Sequence, residues 1–152
     1  MPAEIGSPAP AFSLRSQTGD VYDNESLKGK KSLIVFIPFP FTGNCDSEAC
    51  SLRDNLSQLN ELDANVVVIT AHAGPTIKEW ATKEGLDFPI LSDFWPHGEV
   101  IQAFGCFNDQ LGCAMRVTYV LDADGVVRDI IGTESLKEKR TYADYPDALA
   151  AI

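Results

Sequence analysis

SLIVFIPFPFTGNCDSEACSLRDNLSQL, residues 32–59, reads as a strand, a turn and a helix in succession. Ser32 to Ile37 is apolar on both faces, the pattern of a strand covered on both sides of a sheet. Pro38 and Pro40 end the strand, because proline has no N–H to give to a ladder. A helix then begins near Cys45. Ala49, Leu52, Leu56 and Leu59 recur at helical spacing, with Arg53, Asp54 and Gln58 between them.

The same alternation continues outward. Upstream, Ala11 to Leu14, the turn Thr18-Gly19-Asp20 and Val21-Tyr22 predict a short N-terminal hairpin. Downstream, Asn65 to Thr70 is a second buried strand. Pro75 to Glu84 is a helix with Pro75 near its start and Gly85 past its end. Phe88 to Leu91 is a third strand and Glu99 to Phe104 a short helix. Arg116 to Leu121 and Val126 to Ile131 form a hairpin around Asp122-Ala123-Asp124-Gly125. Tyr145 to Ile152 closes the chain as a helix, with Asp144 as its cap and Pro146 in its first turn. Strands alternating with helices predict an α/β architecture, a mixed sheet flanked by helices with an N-terminal β-hairpin extension.

The 152 residues suffice for one domain spanning 1–152, and a chain of that length folds without a staple. A net charge of −10 offers no basic face to displace counterions from nucleic acid, and it disfavours anionic membranes. The longest apolar stretch, Leu33 to Phe41, is too short and too rich in proline to span a bilayer. No targeting segment is evident, which predicts a cytoplasmic protein. The four cysteines are therefore read as thiols. None of them makes a C-x-x-C, and the two histidines, His72 and His97, are remote in sequence from Cys45 and Cys50. Neither a metal nor a cofactor is expected.

In open α/β sheets, sites form beyond the carboxyl ends of the strands. The segment from Pro38 to Cys45 lies at such an end, and it places a cysteine at a helix start. First-turn N–H groups lack partners and carry partial positive charge, which favours the thiolate, the nucleophilic form of cysteine. Thr42 stands three residues earlier, where its hydroxyl can cap the helix or bond a bound oxygen atom. Pro38 supplies an apolar wall. Glu48 can reach back to the first turn or hold a cation.

The spacing Pro38-x-x-x-Thr42-x-x-Cys45 resembles the active-site signature of the peroxiredoxins, thiol peroxidases with a thioredoxin-like fold. MRVTYVLD, at Arg116, is similar to the strand from which that family takes an arginine. FSLRSQ, from Phe12, is similar to the family's first strand. FPILSDFWPHGEV, Phe88 to Val100, resembles the actinobacterial alkyl hydroperoxide reductase E type. CDSEACSLRDN, Cys45 to Asn55, resembles the Q type, the bacterioferritin-comigratory proteins, which carry a second cysteine five residues on. The resemblance implies that Cys45 attacks the terminal oxygen of hydrogen peroxide or an organic hydroperoxide and becomes a sulfenic acid. Arg116 stabilises the moving charge, Thr42 and the Cys45 N–H orient the peroxide, and Glu48 orients Arg116.

A sulfenic acid must then be reduced. On an intact helix Cys45 and Cys50 are separated by about 7.5 Å of rise and point roughly 140° apart, too far for a disulfide. Cys50 either resolves Cys45 after the first turns unwind, as the Q-type resemblance implies, or it is a core residue. Asp46 and Ser47 are weak helix formers that ease unwinding. Cys106 and Cys113 flank the polar loop FNDQLG and are read as buried hydrophobes, as a further resolving thiol, or as a pair with each other. Without an internal resolver, an external thiol must act: a thioredoxin, a mycoredoxin or a low-molecular-weight thiol. Family resemblance and the apolar patches at Phe39 to Phe41 and Phe94-Trp95 predict a homodimer. Two other readings stay open on the residues alone. A thiol–disulfide oxidoreductase lacks its C-x-x-C here, and a peroxide sensor shares the first chemical step.

Overall fold

The structure, a computed structural model, describes residues 2–152. β3 (Lys31–Phe36) forms at the apolar run and lies between β4 (Ala64–Thr70), parallel to it, and β8 (Val117–Leu121), antiparallel. Strand side chains alternate, so Leu33, Val35 and Ile37 enter one core layer while Ile34 and Phe36 enter the other. The sheet continues through β5 (Ile90–Ser92) to the hairpin of β1 (Ser13–Ser16) and β2 (Val21–Asp23), and on the other side to β9 (Val127–Gly132), in the order β2-β1-β5-β4-β3-β8-β9. The predicted N-terminal hairpin is thus the edge of this same sheet, joined to it by antiparallel pairing of Arg15 with Ser92.

Helices cover both faces. α2 (Gly43–Asp54), α4 (Gly74–Glu84) and α6 (Asp144–Ala150) pack Leu52, Trp80 and Leu149 onto the layer beneath Leu33. α5 (Glu99–Phe104) packs Ile101 and Phe104 against Phe36 and Tyr119 on the opposite face. A four-residue α1 (Asn24–Leu27) follows β2, capped by Asp23. Gly85 ends α4 in the left-handed conformation at φ 66°, which glycine adopts without steric cost.

Several local expectations shift. The helix predicted from Cys45 through Leu59 breaks at Asn55, whose side-chain amide donates to the Ser51 carbonyl at 2.8 Å; α3 (Leu56–Glu61) resumes with Leu59 still fully buried. The third strand begins two residues late, at Ile90, because Pro89 has no N–H for the ladder. Asp144 is the first residue of α6 and makes no cap bond, and the helix ends at Ala150. Asp93, in contrast, is a cap that the sequence did not reveal. Fully buried, it accepts from the N–H groups of Val100 at 3.2 Å and Ile101 at 2.8 Å, the orphan donors of α5. The loop FNDQLG is drawn into a small hairpin, β6 (Phe107–Asn108) with β7 (Cys113–Ala114). Its register sets Cys113 opposite Asn108, and the Met115 N–H bonds the Cys106 carbonyl at 2.7 Å. Cys106 and Cys113 are therefore diagonal rather than facing, and both are free thiols.

Candidate active site

The loop between β3 and α2 folds back on the helix it starts. Phe41 takes a left-handed backbone, φ 69°, uncommon for a bulky residue, and its ring is turned outward beneath Lys83 Nζ, 5.5 Å from the centroid. Thr42 occupies the N-cap position with extended backbone, yet its side chain makes no cap bond. Its hydroxyl donates backward to the Phe39 carbonyl at 2.6 Å, which closes the turn and leaves the oxygen lone pairs as acceptors. Pro38 is buried as the wall of that turn.

Cys45 lies in the first turn of α2 and has 0% exposure. Two donors point at its sulfur: the Phe39 N–H at 3.4 Å and Arg116 Nη1 at 3.2 Å. Both favour negative charge on that atom. Arg116 sits between β7 and β8 and is buried, not an exposed strand residue. Its Nη1 also donates to Glu48 Oε1 at 2.6 Å, and its Nε donates to the Leu136 carbonyl at 2.7 Å. The guanidinium is thereby fixed with one edge on the sulfur.

Glu48 does not reach back to the helix start. It lies between two guanidiniums. Besides Arg116, it accepts from Arg140 Nη2 at 2.9 Å on Oε1, and from Arg140 Nε and the Arg140 N–H, both at 2.8 Å, on Oε2. Burial opposes its ionisation, but the hydrogen bonds and charge of Arg140, with the charge of Arg116, hold the carboxyl below the ordinary carboxylate range. Arg140 Nη1 reaches Thr118 Oγ1 at 3.1 Å, and Thr118 shares a hydrogen bond of 2.9 Å with the Tyr145 hydroxyl. Arg140, Thr118 and Tyr145 were not visible as site residues in the sequence. Arg140 ends the charged tract LKEKR, where nothing separates one cation from its solvated neighbours.

The same tract straps the first half of α2. Asn44 Nδ2 donates to the Lys137 carbonyl at 2.7 Å, and Lys139 Nζ donates to Ser47 Oγ at 3.0 Å. On the opposite flank, Trp80 Nε1 donates to Asp46 Oδ1 at 2.7 Å.

The other thiols differ in setting. Cys50, half-buried on α2, donates to Glu84 Oε2 at 3.5 Å; burial and then this carboxylate push its thiol up. Burial pushes Cys106 up to about 12. Burial also raises Cys113, which feels the charges of both Cys45 and Arg116 and so lies near the site. Among the described residues, no three His, Cys, Asp or Glu side chains converge as a metal set, and no helix is long and apolar enough to cross a membrane.

The chain is similar to known proteins over nearly its whole length. The profile of the AhpC/TSA family matches residues 5–130. The chain is similar to Alkyl hydroperoxide reductase E of Mycobacterium tuberculosis (strain H37Rv), 42% identical over 149 residues covering 97% of each chain. It is similar to Peroxiredoxin Bcp of Escherichia coli (strain K12), 30% identical over 135 residues covering 85% of each. Among solved structures, Peroxidoxin BcpB from Mycobacterium tuberculosis superposes with a TM-score of 0.83 at 30% identity, covering 97% of this chain and 95% of that one. Enterococcus faecalis AhpC shares the fold alone, with a TM-score of 0.89 at 21% identity over 98% and 92% of the two chains. The mixed sheet flanked by helices, expected from the sequence pattern, is accordingly the thioredoxin-like fold that the resemblance implied.

Proposed function

The chain belongs to the AhpC/TSA family of peroxiredoxins and is a thiol-dependent peroxidase that reduces hydroperoxides; from this we propose that Cys45 is the sulfur that does so. The observation that carries the assignment is the convergence of Arg116 Nη1 and the Phe39 N–H on Cys45 Sγ. The thiolate attacks the terminal oxygen of hydrogen peroxide or an organic hydroperoxide. The oxygen–oxygen bond breaks, the sulfur becomes a sulfenic acid, and hydroxide or alkoxide leaves. Arg116 stabilises charge as it passes from sulfur to the leaving oxygen. Glu48 and Arg140 keep Arg116 in place. Thr42 accepts from the peroxide, and Pro38 limits water at the sulfur. Cys45 has no exposed surface, so the Phe39–Thr42 turn, tied by the Thr42 hydroxyl to the Phe39 carbonyl and by the Phe39 N–H to the sulfur, shifts to admit the peroxide.

Cys50 then resolves the sulfenic acid once the first turns of α2 unwind, or an external thiol does so. Cys106, protonated and deep in the opposite core layer, is unsuited. The reductant class is a thioredoxin, a mycoredoxin or a low-molecular-weight thiol, and the reducing cytoplasm is the compartment in which four free thiols persist. Exposed Phe41, Phe94 and Trp95 support a homodimer formed on this side of the molecule.

The test is stopped-flow mixing with hydrogen peroxide, read by the fluorescence of Trp80, which bonds the residue next to Cys45. A fast second-order phase is expected, absent in Cys45→Ser and retained in Cys50→Ser. Mass spectrometry without reductant then shows a Cys45–Cys50 bridge in the wild type and a sulfenic or sulfinic Cys45 in Cys50→Ser. A fast phase that survives in Cys45→Ser overturns the assignment.

A further inference from the structure

If Cys45 and Cys50 are to bond, one sulfur must travel. The contacts of α2 show which half is fastened to what. Its C-terminal half is held on the end of α4: Cys50 Sγ donates to Glu84 Oε2 at 3.5 Å, and Arg53 Nη1 donates to the Glu84 carbonyl. Its N-terminal half is held by the strap through Asn44, Ser47 and Glu48 and by Trp80 through Asp46. The Asn44 and Ser47 ties are exposed single hydrogen bonds, the kind that local opening breaks first.

Resting on the reading of Cys50 as the resolving cysteine, we propose that Glu84 is a positioning residue for the resolving step, holding Cys50 as a hydrogen-bonded thiol on α4 while Cys45 is the partner that moves. The carboxylate serves two purposes. It fixes where the mobile sulfenic acid must arrive, and it keeps Cys50 from becoming a nucleophile before that arrival. The groups facing Cys50 are Glu84 on α4 and Arg53 and Asp54 on its own helix. Burial, Glu84 and Asp54 oppose the Cys50 thiolate, and Arg53 alone favours it.

The chemical step balances without another reagent. Cys50 sulfur attacks Cys45 sulfur, the sulfur–sulfur bond forms, and the sulfur–oxygen bond of the sulfenic acid breaks. The Cys50 proton leaves with that oxygen as water. The resulting disulfide is returned to two thiols by the thiol reductant.

Glu84→Gln removes the charge and keeps the shape, and the Glu84 carbonyl that receives Arg53 is main chain and stays. Full-length wild type and Glu84→Gln are oxidised with one equivalent of hydrogen peroxide at a series of pH values, quenched with an alkylating agent, and assayed by mass for the Cys45–Cys50 disulfide. The oxidation rate of Cys45 should be unchanged. The rate of disulfide formation should rise with pH in both, with the variant's profile displaced to lower pH, so that at pH 7 it forms the bond about three- to tenfold faster. Alkylation of Cys50 in Cys45→Ser and in Cys45→Ser/Glu84→Gln gives the same displacement without turnover; Glu84→Ala, which removes the acceptor as well as the charge, displaces the alkylation profile in the same direction but forms the disulfide more slowly than Glu84→Gln. Superimposable pH profiles overturn the role of Glu84 and leave Cys50 as resolver. A disulfide that persists in Cys50→Ser, or none in wild type, overturns the reading of Cys50 itself.

Discussion

Replacing Arg140 by methionine tests the buried charge cluster most directly. The substitution keeps much of the volume and removes two side-chain hydrogen bonds to Glu48, from Nε and Nη2, and one to Thr118. Glu48 keeps Arg116 Nη1 and the Arg140 main-chain N–H. Breaking a buried ion pair from one side costs about 3–5 kcal/mol, because the remaining charge is left poorly compensated. That is a large part of the roughly 5–15 kcal/mol that keeps a domain folded. With an m-value of about 2 kcal/mol/M, the urea midpoint falls by about 1.5–2.5 M. The pH dependence carries the sharper prediction. In the wild type Glu48 is held below its ordinary value of 4.5, so its contribution is complete above that pH and is lost as pH falls through the folded value. Without Arg140, burial prevails and the carboxyl rises above the ordinary value. Protonation then relieves the variant while it harms the wild type. The stability gap is therefore widest near pH 7 and narrows toward pH 4. The assay is urea unfolding at several pH values followed by circular dichroism. A gap below about 1 kcal/mol, or one that does not change with pH, would refute this account of the cluster.

Other outcomes follow from single contacts. Arg116→Met should slow oxidation of Cys45 by hydrogen peroxide by about 10²–10³-fold, the usual loss for a donor aimed at developing charge; an unchanged second-order rate would remove Arg116 from the chemistry. Trp80→Phe deletes the bond to Asp46 and should lower stability by about 1.5–3 kcal/mol, with faster hydrogen exchange in the first turn of α2. Equal exchange there would mean that this bond does not secure the turn. Leu33→Ala, in a fully buried central-strand position, should cost about 2–5 kcal/mol in a denaturant melt.

Local pattern marked Pro38 as a strand end, Thr42 as a residue before a helix, Cys45 as its opening and Glu48 as one turn on, whereas Arg116 was singled out only through the resemblance of MRVTYVLD to the peroxiredoxins. What the pattern left open was the use of each atom. The Thr42 hydroxyl bonds backward rather than capping, and Glu48 holds two cations instead of the helix start. The same limit explains the misplaced cap at α6 and the unseen one at α5. Asp144 has the expected residue type, but it is already inside the helix. Asp93 reaches N–H groups seven and eight residues away, a distance no capping pattern scans.

The order of strands and helices, the buried β3 and the cysteine at the mouth of α2 belong to the sequence by itself, because hydrophobic period and proline and glycine punctuation act over a few residues. The pairing of Arg140 with Glu48, 92 residues apart, the strap over α2 and the docking of Cys50 on Glu84 belong to the tertiary structure alone. A charge in a polar loop is indistinguishable from its solvated neighbours until the chain folds. Only then does burial remove water and make one carboxylate the shared partner of two guanidiniums.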